Sequence, residues 1–502
     1  MSAPSRTASP ESSAPALGED DGKRAVWWSA ACWVLPAVVA ALLGAWTVSH
    51  DHSLWYDEVY TAEVAPLAPG DLVSAIVRGE GPIPYLRDAP PSYNGPYYLV
   101  VHAWLSLTGL EADEFGLRLL SLLGAVGAVG VFAAAVRTLA GPWVALVAGL
   151  VLGANPFLVQ YAAEARGYSL ALLAVTLAAL GLARWLAAEG QRRRRGALLL
   201  YGVGAAAAGL LHWFALLVVA GFAVAALVLR RRLALPVAGT TAAAAVPALA
   251  LVATAVANGV GTSGAEWLQG VGSLDVPRLV LRSWSGRNLA LAVLTIGFGV
   301  AGLLAGPLPA RVVGAAWSAV PIGVVALLEL VRPVFVDRYL LPAAAGLAIL
   351  VALGVIWVGR QRAALTLAAA GAVLAVSVWA TGVDIGRGPK EDIRGAVEYV
   401  ADRHQVGEPV VAPARWDALG LDHFSRRDHR EIVSDVVLAP PSVPEARRLW
   451  VVRRSSGGVK GDSAKVAVME AELVARGMRV ADERRFDGRY TDTVVQRWVS
   501  GP

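Results

Sequence analysis

The sequence predicts an all-α polytopic membrane protein of about 11 transmembrane helices that ends in a small α/β domain. Three observations carry this expectation. Of the 502 residues, 56% are hydrophobic and only 17% charged, against roughly a quarter charged in a soluble chain, and the mean hydropathy is +0.54. The charge is unevenly placed: residues 383–502 hold 39 of the 83 Asp, Glu, Lys and Arg side chains, leaving 44 for more than three-quarters of the chain. Apolar runs long enough to cross a bilayer recur through that charge-poor part. An even string of soluble domains is excluded.

In chain order, the first 22 residues, rich in Ser, Pro and Ala, read as a disordered cytoplasmic tail that ends by residue 25. Lys23 and Arg24 precede an apolar run over 26–48. At about 1.5 Å per residue it reaches about 34 Å, enough to span. Its length exceeds a signal-peptide core, which makes it a retained anchor. Cys32, the only cysteine, lies inside it, so there is neither an intramolecular disulfide nor a cysteine-based metal site. Ten more runs follow, near 117–139, 143–160, 168–188, 196–212, 214–229, 233–257, 288–306, 312–331, 339–358 and 363–381. The membrane domain is thus expected over 26–381. Beyond it, 382–502 alternates helical patterns (394–403, 465–476) with short strand patterns (409–411, 449–452), a soluble α/β domain.

Arginines set the expected orientation in the plasma membrane. The clusters at 192–195 and 230–232 and the pair Arg360 and Arg362 belong in the cytoplasm under the positive-inside rule. Residues 196–229 then form a hairpin with His212-Trp213-Phe214 at its outer tip, and 155–168 is external. Segment 97–108 is too short to span, so 49–116 becomes one long external loop. A loop of that length needs structure of its own, and interfacial helices are expected near 71–78 and 97–107. The odd span count places the C-terminal domain outside too, with the N-terminus cytoplasmic. A net charge of +5 with only four lysines fits GC-rich coding better than nucleic-acid binding.

Polar groups at membrane depth or at its edge are costly and therefore informative. Four external clusters qualify. Trp55-Tyr56-Asp57-Glu58 places two carboxylates among aromatics, suited to a general base or to a solvated interfacial loop. Asn155-Pro156 leads to Glu164, Arg166 and Tyr168, a binding constellation or a structural ion pair. His212 is a ligand or a packed core histidine. Arg332 and Asp337-Arg338-Tyr339 offer guanidinium groups to a phosphate or anchor the chain at headgroups. Together the clusters suit transfer from a donor that carries a phosphate and a lipid. No nucleotide-binding motif is present.

Several stretches, in order, resemble the GT-C class of polytopic glycosyltransferases, especially bacterial members akin to protein O-mannosyltransferases and the lipid A aminoarabinose transferase. They are Ser53-Leu54-Trp55-Tyr56-Asp57-Glu58; Pro90-Pro91-Ser92-Tyr93-Asn94-Gly95-Pro96-Tyr97-Tyr98 with His102-Ala103-Trp104; Arg118-Leu119-Leu120-Ser121; Asn155-Pro156 through Glu164-Ala165-Arg166-Gly167-Tyr168; Asp337-Arg338-Tyr339-Leu340-Leu341-Pro342; and Lys390-Glu391-Asp392-Ile393-Arg394. The resemblance covers about residues 26–400. It implies a polyprenyl-phosphate sugar donor, mannose or a similar sugar, inversion at the anomeric carbon and a protein, glycan or lipid acceptor outside the cytoplasm. On it, Asp57 and Glu58 are the expected catalytic residues, with Asp57 the base. Tyr56, Glu164, Arg166, Tyr168, His212, Arg338 and Tyr339 are the expected substrate-binding residues. The metal question stays open: Glu58 and Glu164 would support either the acceptor or a divalent cation. One departure from the pattern is the Ser-Tyr-Asn-Gly turn after Pro90-Pro91, which reshapes the acceptor side. The competing class is a transporter or lipid flippase, whose charges would sit midway along broken helices.

Overall fold

A computed structural model of the chain describes residues 19–259, 270–360, 362–455 and 460–501. Most of the tail expected over 1–25 lies outside the described residues. Its last part is instead the opening of helix α1 (Glu19–His50), which carries the first apolar run and Pro36. The long loop after it holds three helices, α2 (Tyr56–Val64), α3 (Pro69–Arg78) and α4 (Gly95–Thr108). The last two match the expected interfacial helices. The first was not expected, and it carries Asp57 and Glu58.

The bundle continues with α5 (Glu114–Ala140), α6 (Pro142–Gly153), α7 (Pro156–Ala162), α8 (Tyr168–Ala187), α9 (Gln191–Leu211), α10 (Ala215–Leu229), α11 (Ala234–Ala257), α12 (Asp275–Trp284), α13 (Leu289–Leu304), α14 (Leu308–Leu328), α15 (Leu341–Gly359) and α16 (Ala363–Ile385). Every predicted apolar run is helical. Seven described helices are long and apolar enough to cross a membrane, and two bent pairs raise the number to nine if each counts as one span. The remaining two runs fall short of that standard: α9 opens on four arginines, and α10 has 15 residues. The bends have local causes. Between α6 and α7 the axis turns 61°, because Pro156 cannot extend the preceding helix and Asn155 caps a new one, accepting from Phe157 N at 3.0 Å. Between α12 and α13 it turns 110°, through Gly286 and Arg287, both with positive φ.

Bundle helices approach closely where glycine removes the side chain. A Cβ on Gly302 of α13 would land on the Leu350 carbonyl, and one on Gly354 of α15 on the Phe298 carbonyl. This is how helices without a solvent-driven hydrophobic effect gain contact.

The C-terminal domain has helices α17 (Ile393–Ala401), α18 (Arg415–Asp428) and α19 (Lys460–Ala475) on a five-stranded sheet. Strands β1 (Val410–Ala412), β2 (Val436–Leu438), β3 (Arg448–Arg454), β4 (Met478–Phe486) and β5 (Thr493–Ser500) run in the order β2-β1-β3-β5-β4. Strand β1 is parallel to β2 and β3, whereas β5 is antiparallel to β3 and β4. One apolar core joins this domain to the long loop: Leu54, Val59, Leu72, Ile76 and Tyr97 pack with Val397, Leu419, Phe424 and Trp450. Polar contacts seal the seam, among them Tyr85 to Asp422 at 2.8 Å and Arg427 to Glu114 at 3.0 Å.

Candidate active site

The chain reversals at the loop end of the bundle bring the four sequence clusters together. Helix α2 is seated by Glu58, at its third position. Glu58 Oε1 accepts from Arg118 Nε at 2.9 Å and from Ala165 N at 2.8 Å; Oε2 accepts from Arg118 at 2.6 Å and from Trp55 N at 3.4 Å. Both members of this ion pair are 1% exposed. With these contacts Glu58 ties α2, α5 and the 163–167 turn to one point. Arg118 also donates to the carbonyls of Asp51 and Ser53.

Asp57, the preceding residue, is differently placed. Its side chain keeps 17% exposure, with Oδ2 4.0 Å from Arg166 Nε and 3.9 Å from an Arg338 nitrogen. Those distances are ion-pair contacts without hydrogen bonds, which leaves the carboxylate oxygens able to accept from an incoming group. Each guanidinium is held from behind. Arg166 donates to Tyr98 Oη at 3.0 Å and Arg338 Nε to Tyr168 Oη at 3.0 Å. The Arg338 guanidinium also lies 5.7 Å from the Trp55 and Tyr339 ring centroids, a cation–π arrangement.

Tyr168, His212 and Tyr339 form one aromatic wall, with ring centroids 5.4 Å (Tyr168–His212) and 5.0 Å (His212–Tyr339) apart. His212 is 1% exposed. Burial, reinforced by Arg166 and Arg338, pushes its pKa down to about 3, so the imidazole is neutral at physiological pH. Tyr56 faces the C-terminal domain: its ring stacks on Trp55 and Trp416, 4.7 and 5.7 Å away, and its N–H donates to Glu391 at 3.2 Å. Glu164 is buried and ion-paired with Lys390, whose ammonium lies 4.3 Å from the Trp55 ring centroid and 4.9 Å from that of Tyr161. Burial raises the Glu164 pKa, and Lys390 opposes the rise. Asp337 turns away to accept from Ser283 at 2.8 Å, and Arg332 is exposed outside the group.

Arg118, Tyr98, Tyr161, Lys390 and Glu391 belong to the site region but were not among the expected site residues. Two carried a signal: Arg118 is a lone charge opening an apolar run, and Lys390 is one of only four lysines. As for a divalent cation, among the described residues no three His, Cys, Asp or Glu side chains converge. Glu58 faces Arg118, Glu164 faces Lys390, and Asp57 faces two arginines, so this donor set does not fit a metal ion. It fits an anion.

Neither a protein-family model nor a curated protein sequence matches the chain. Solved structures do. ArnT from Cupriavidus metallidurans, the lipid A aminoarabinose transferase, aligns in its apo state with a TM-score of 0.60 at 17% identity, over 95% of this chain and 100% of that one. The same protein bound to undecaprenyl phosphate gives 0.59 at 15%, covering 93% and 99%. The oligosaccharyltransferase AglB from Archaeoglobus fulgidus, in complex with an inhibitory peptide and a dolichol-phosphate, gives 0.55 at 12%, over 80% of this chain but 64% of its own. At such identities the likeness is one of fold, and the fold is that of these GT-C glycosyltransferases.

Proposed function

We propose that this protein is a membrane glycosyltransferase that moves a sugar, mannose or a similar one, from a polyprenyl-phosphate donor to an extracytoplasmic acceptor. The observation that carries the reading is Asp57, a partly exposed carboxylate whose Oδ2 lies 4.0 Å from the Arg166 guanidinium and 3.9 Å from that of Arg338. An acceptor hydroxyl is too weak an acid to ionise at neutral pH, so a base must take its proton as the bond to the anomeric carbon forms. Asp57 is that base. The anomeric C–O bond to phosphate breaks as the new bond forms, and its electron pair leaves on the polyprenyl phosphate. Arg166 and Arg338 meet the charge that develops there. A single displacement of this kind inverts the anomeric centre. Glu58 and Glu164 act by holding α2 and the 163–167 turn.

Two further observations support the reading. Fold neighbours were solved with undecaprenyl phosphate and with a dolichol-phosphate, the lipid-phosphate chemistry that paired arginines suit. The buried charges gather at helix ends rather than midway along spans, which disfavours a transport path.

The test is incubation of purified full-length protein with a panel of radiolabelled polyprenyl-phosphate sugars. Transfer from at least one donor is expected, with a loss of about 10²-fold or more in Asp57→Asn and no change in folding. Undiminished transfer in that variant removes Asp57 as the base, and absence of transfer from every donor overturns the function.

A further inference from the structure

The chain leaves α16 at Ile385 and enters the C-terminal domain at Ile393, and the short connection between them runs through the site. Three residues of it make the contacts, two of them in both directions. Lys390 pairs with Glu164 and lies between the Trp55 and Tyr161 rings. Glu391, 0% exposed, accepts from Tyr56 N at 3.2 Å, the first N–H of the helix that carries Asp57. On the other side, Arg489 N donates to the Pro389 carbonyl at 2.9 Å and Tyr490 N to the Lys390 carbonyl at 3.0 Å. The Tyr490 ring packs on Trp55 with centroids 5.8 Å apart. Arg454 of β3 faces Glu391 at 4.0 Å while bonding Asp417 at 2.9 Å.

We infer that the Pro389–Lys390–Glu391 strap is a positioning element of the site, through which the C-terminal domain sets α2 and the 163–167 turn in register. Lys390 acts through Glu164, and Glu391 acts through the N-terminus of α2. A buried carboxylate such as Glu164 is ionised and fixed only with a partner, and here that partner comes from the connection that Arg489 and Tyr490 of the C-terminal domain hold in place. The C-terminal domain is therefore part of the catalytic apparatus, not an appended module. This inference rests on the sugar-transfer reading for its kinetic test and on geometry alone for its second test.

The first test compares variants of the full-length protein with a polyprenyl-phosphate sugar donor. Lys390→Met together with Glu164→Gln removes both charges, so neither is left buried alone. The double variant is expected to lose at least tenfold in kcat with donor KM within about twofold and an unchanged unfolding temperature. Lys390→Arg alone is expected to keep more than half of wild-type kcat. Wild-type kcat in the double variant overturns the role. The second test needs no substrate: hydrogen exchange in Lys390→Met/Glu391→Gln should quicken at least fivefold at Tyr56–Val64 and at 163–167, and not in α13 or α14. Unchanged exchange there overturns the strap whatever the activity. Quickened exchange in a protein that transfers no sugar leaves the strap standing and condemns the function instead.

Discussion

Two neighbouring carboxylates of one tetrapeptide have different surroundings: Glu58 is bonded to Arg118, whereas Asp57 only stands near Arg166 and Arg338. Glu58→Ala takes the closer counter-charge from the Arg118 guanidinium, 1% exposed, leaving it only Asp51 at 3.5 Å. Breaking one side of such a buried pair costs about 3–5 kcal/mol. The expected outcome is a lower unfolding temperature and poor membrane yield, measured by thermal unfolding in detergent, whereas Asp57→Asn leaves both unchanged. On the proposed mechanism Arg338→Ala removes a charge that meets the leaving phosphate and should cut kcat/KM by about 10²–10³-fold in steady-state transfer, with Arg338→Lys recovering part of it. Glu391 supplies a pH effect. Burial pushes its pKa from 4.5 up to about 7, against the pull of Arg454 and the Tyr56 N–H. The folded state thus holds a proton that the unfolded chain has released between those values. This contribution to stability is fully present below about pH 4.5 and is lost as pH rises through 7. Unfolding temperatures taken from pH 5 to 7.5 should fall less steeply in Glu391→Gln than in the wild type. Asp57 was legible in the sequence as an acid beside aromatics at a span edge. The contrast with Glu58 was not, because Arg118 lies 60 residues away and only packing brings it there.

At the level of elements, hydropathy located every apolar helix, since a lipid-facing run must be both long and apolar to span. It did not locate α2. That helix is nine residues long, mixes three acids and two tyrosines, and has no periodic apolar face. Its helicity rests on a local cap, Glu58 accepting from Trp55 N, and on a tertiary bond from its middle, Thr61 Oγ1 donating to the Ala165 carbonyl at 3.1 Å. Nine of the eleven expected spans meet the length and hydropathy standard, if each bent pair counts as one. The α9 run begins in arginines and the α10 run is short, so the two cross less convincingly than their apolar stretches suggested. Glycine at the α13–α15 crossing gives the prediction that belongs here. Gly354→Ala puts a methyl group on the Phe298 carbonyl, a backbone atom that a rotamer change cannot clear. The two helices must separate, and an unfolding temperature lower by several degrees is expected. At Gly371 of α16, where nothing lies within 4 Å of an added Cβ, the same substitution should be neutral.

Across the whole molecule, charge and chemistry divide the two ends of the bundle. Helices α5, α8, α9, α10 and α15 each touch the site region at one end and lead, at the other, to Arg137, Arg192, Arg193, Arg230 or Arg360. The acids and aromatics of the site gather at the opposite end with the C-terminal domain. This separation is what the arginine pattern promised, but the shared core of loop and C-terminal domain was not legible, because contacts such as Tyr56 to Glu391 join residues 335 apart in sequence. The orientation expected from the positive-inside rule puts the arginine end in the cytoplasm, and on the proposed function it lets a donor displayed outside meet Asp57. The arrangement can be read by thiol labelling, since the single native cysteine, Cys32, is 2% exposed and gives little background. Glu111→Cys sits exposed at the site end and Arg193→Cys exposed at the other. A membrane-impermeant maleimide should label the first in intact cells and the second only after permeabilisation. The reverse pattern would turn the site toward the cytoplasm, where an acceptor outside the membrane could not reach Asp57.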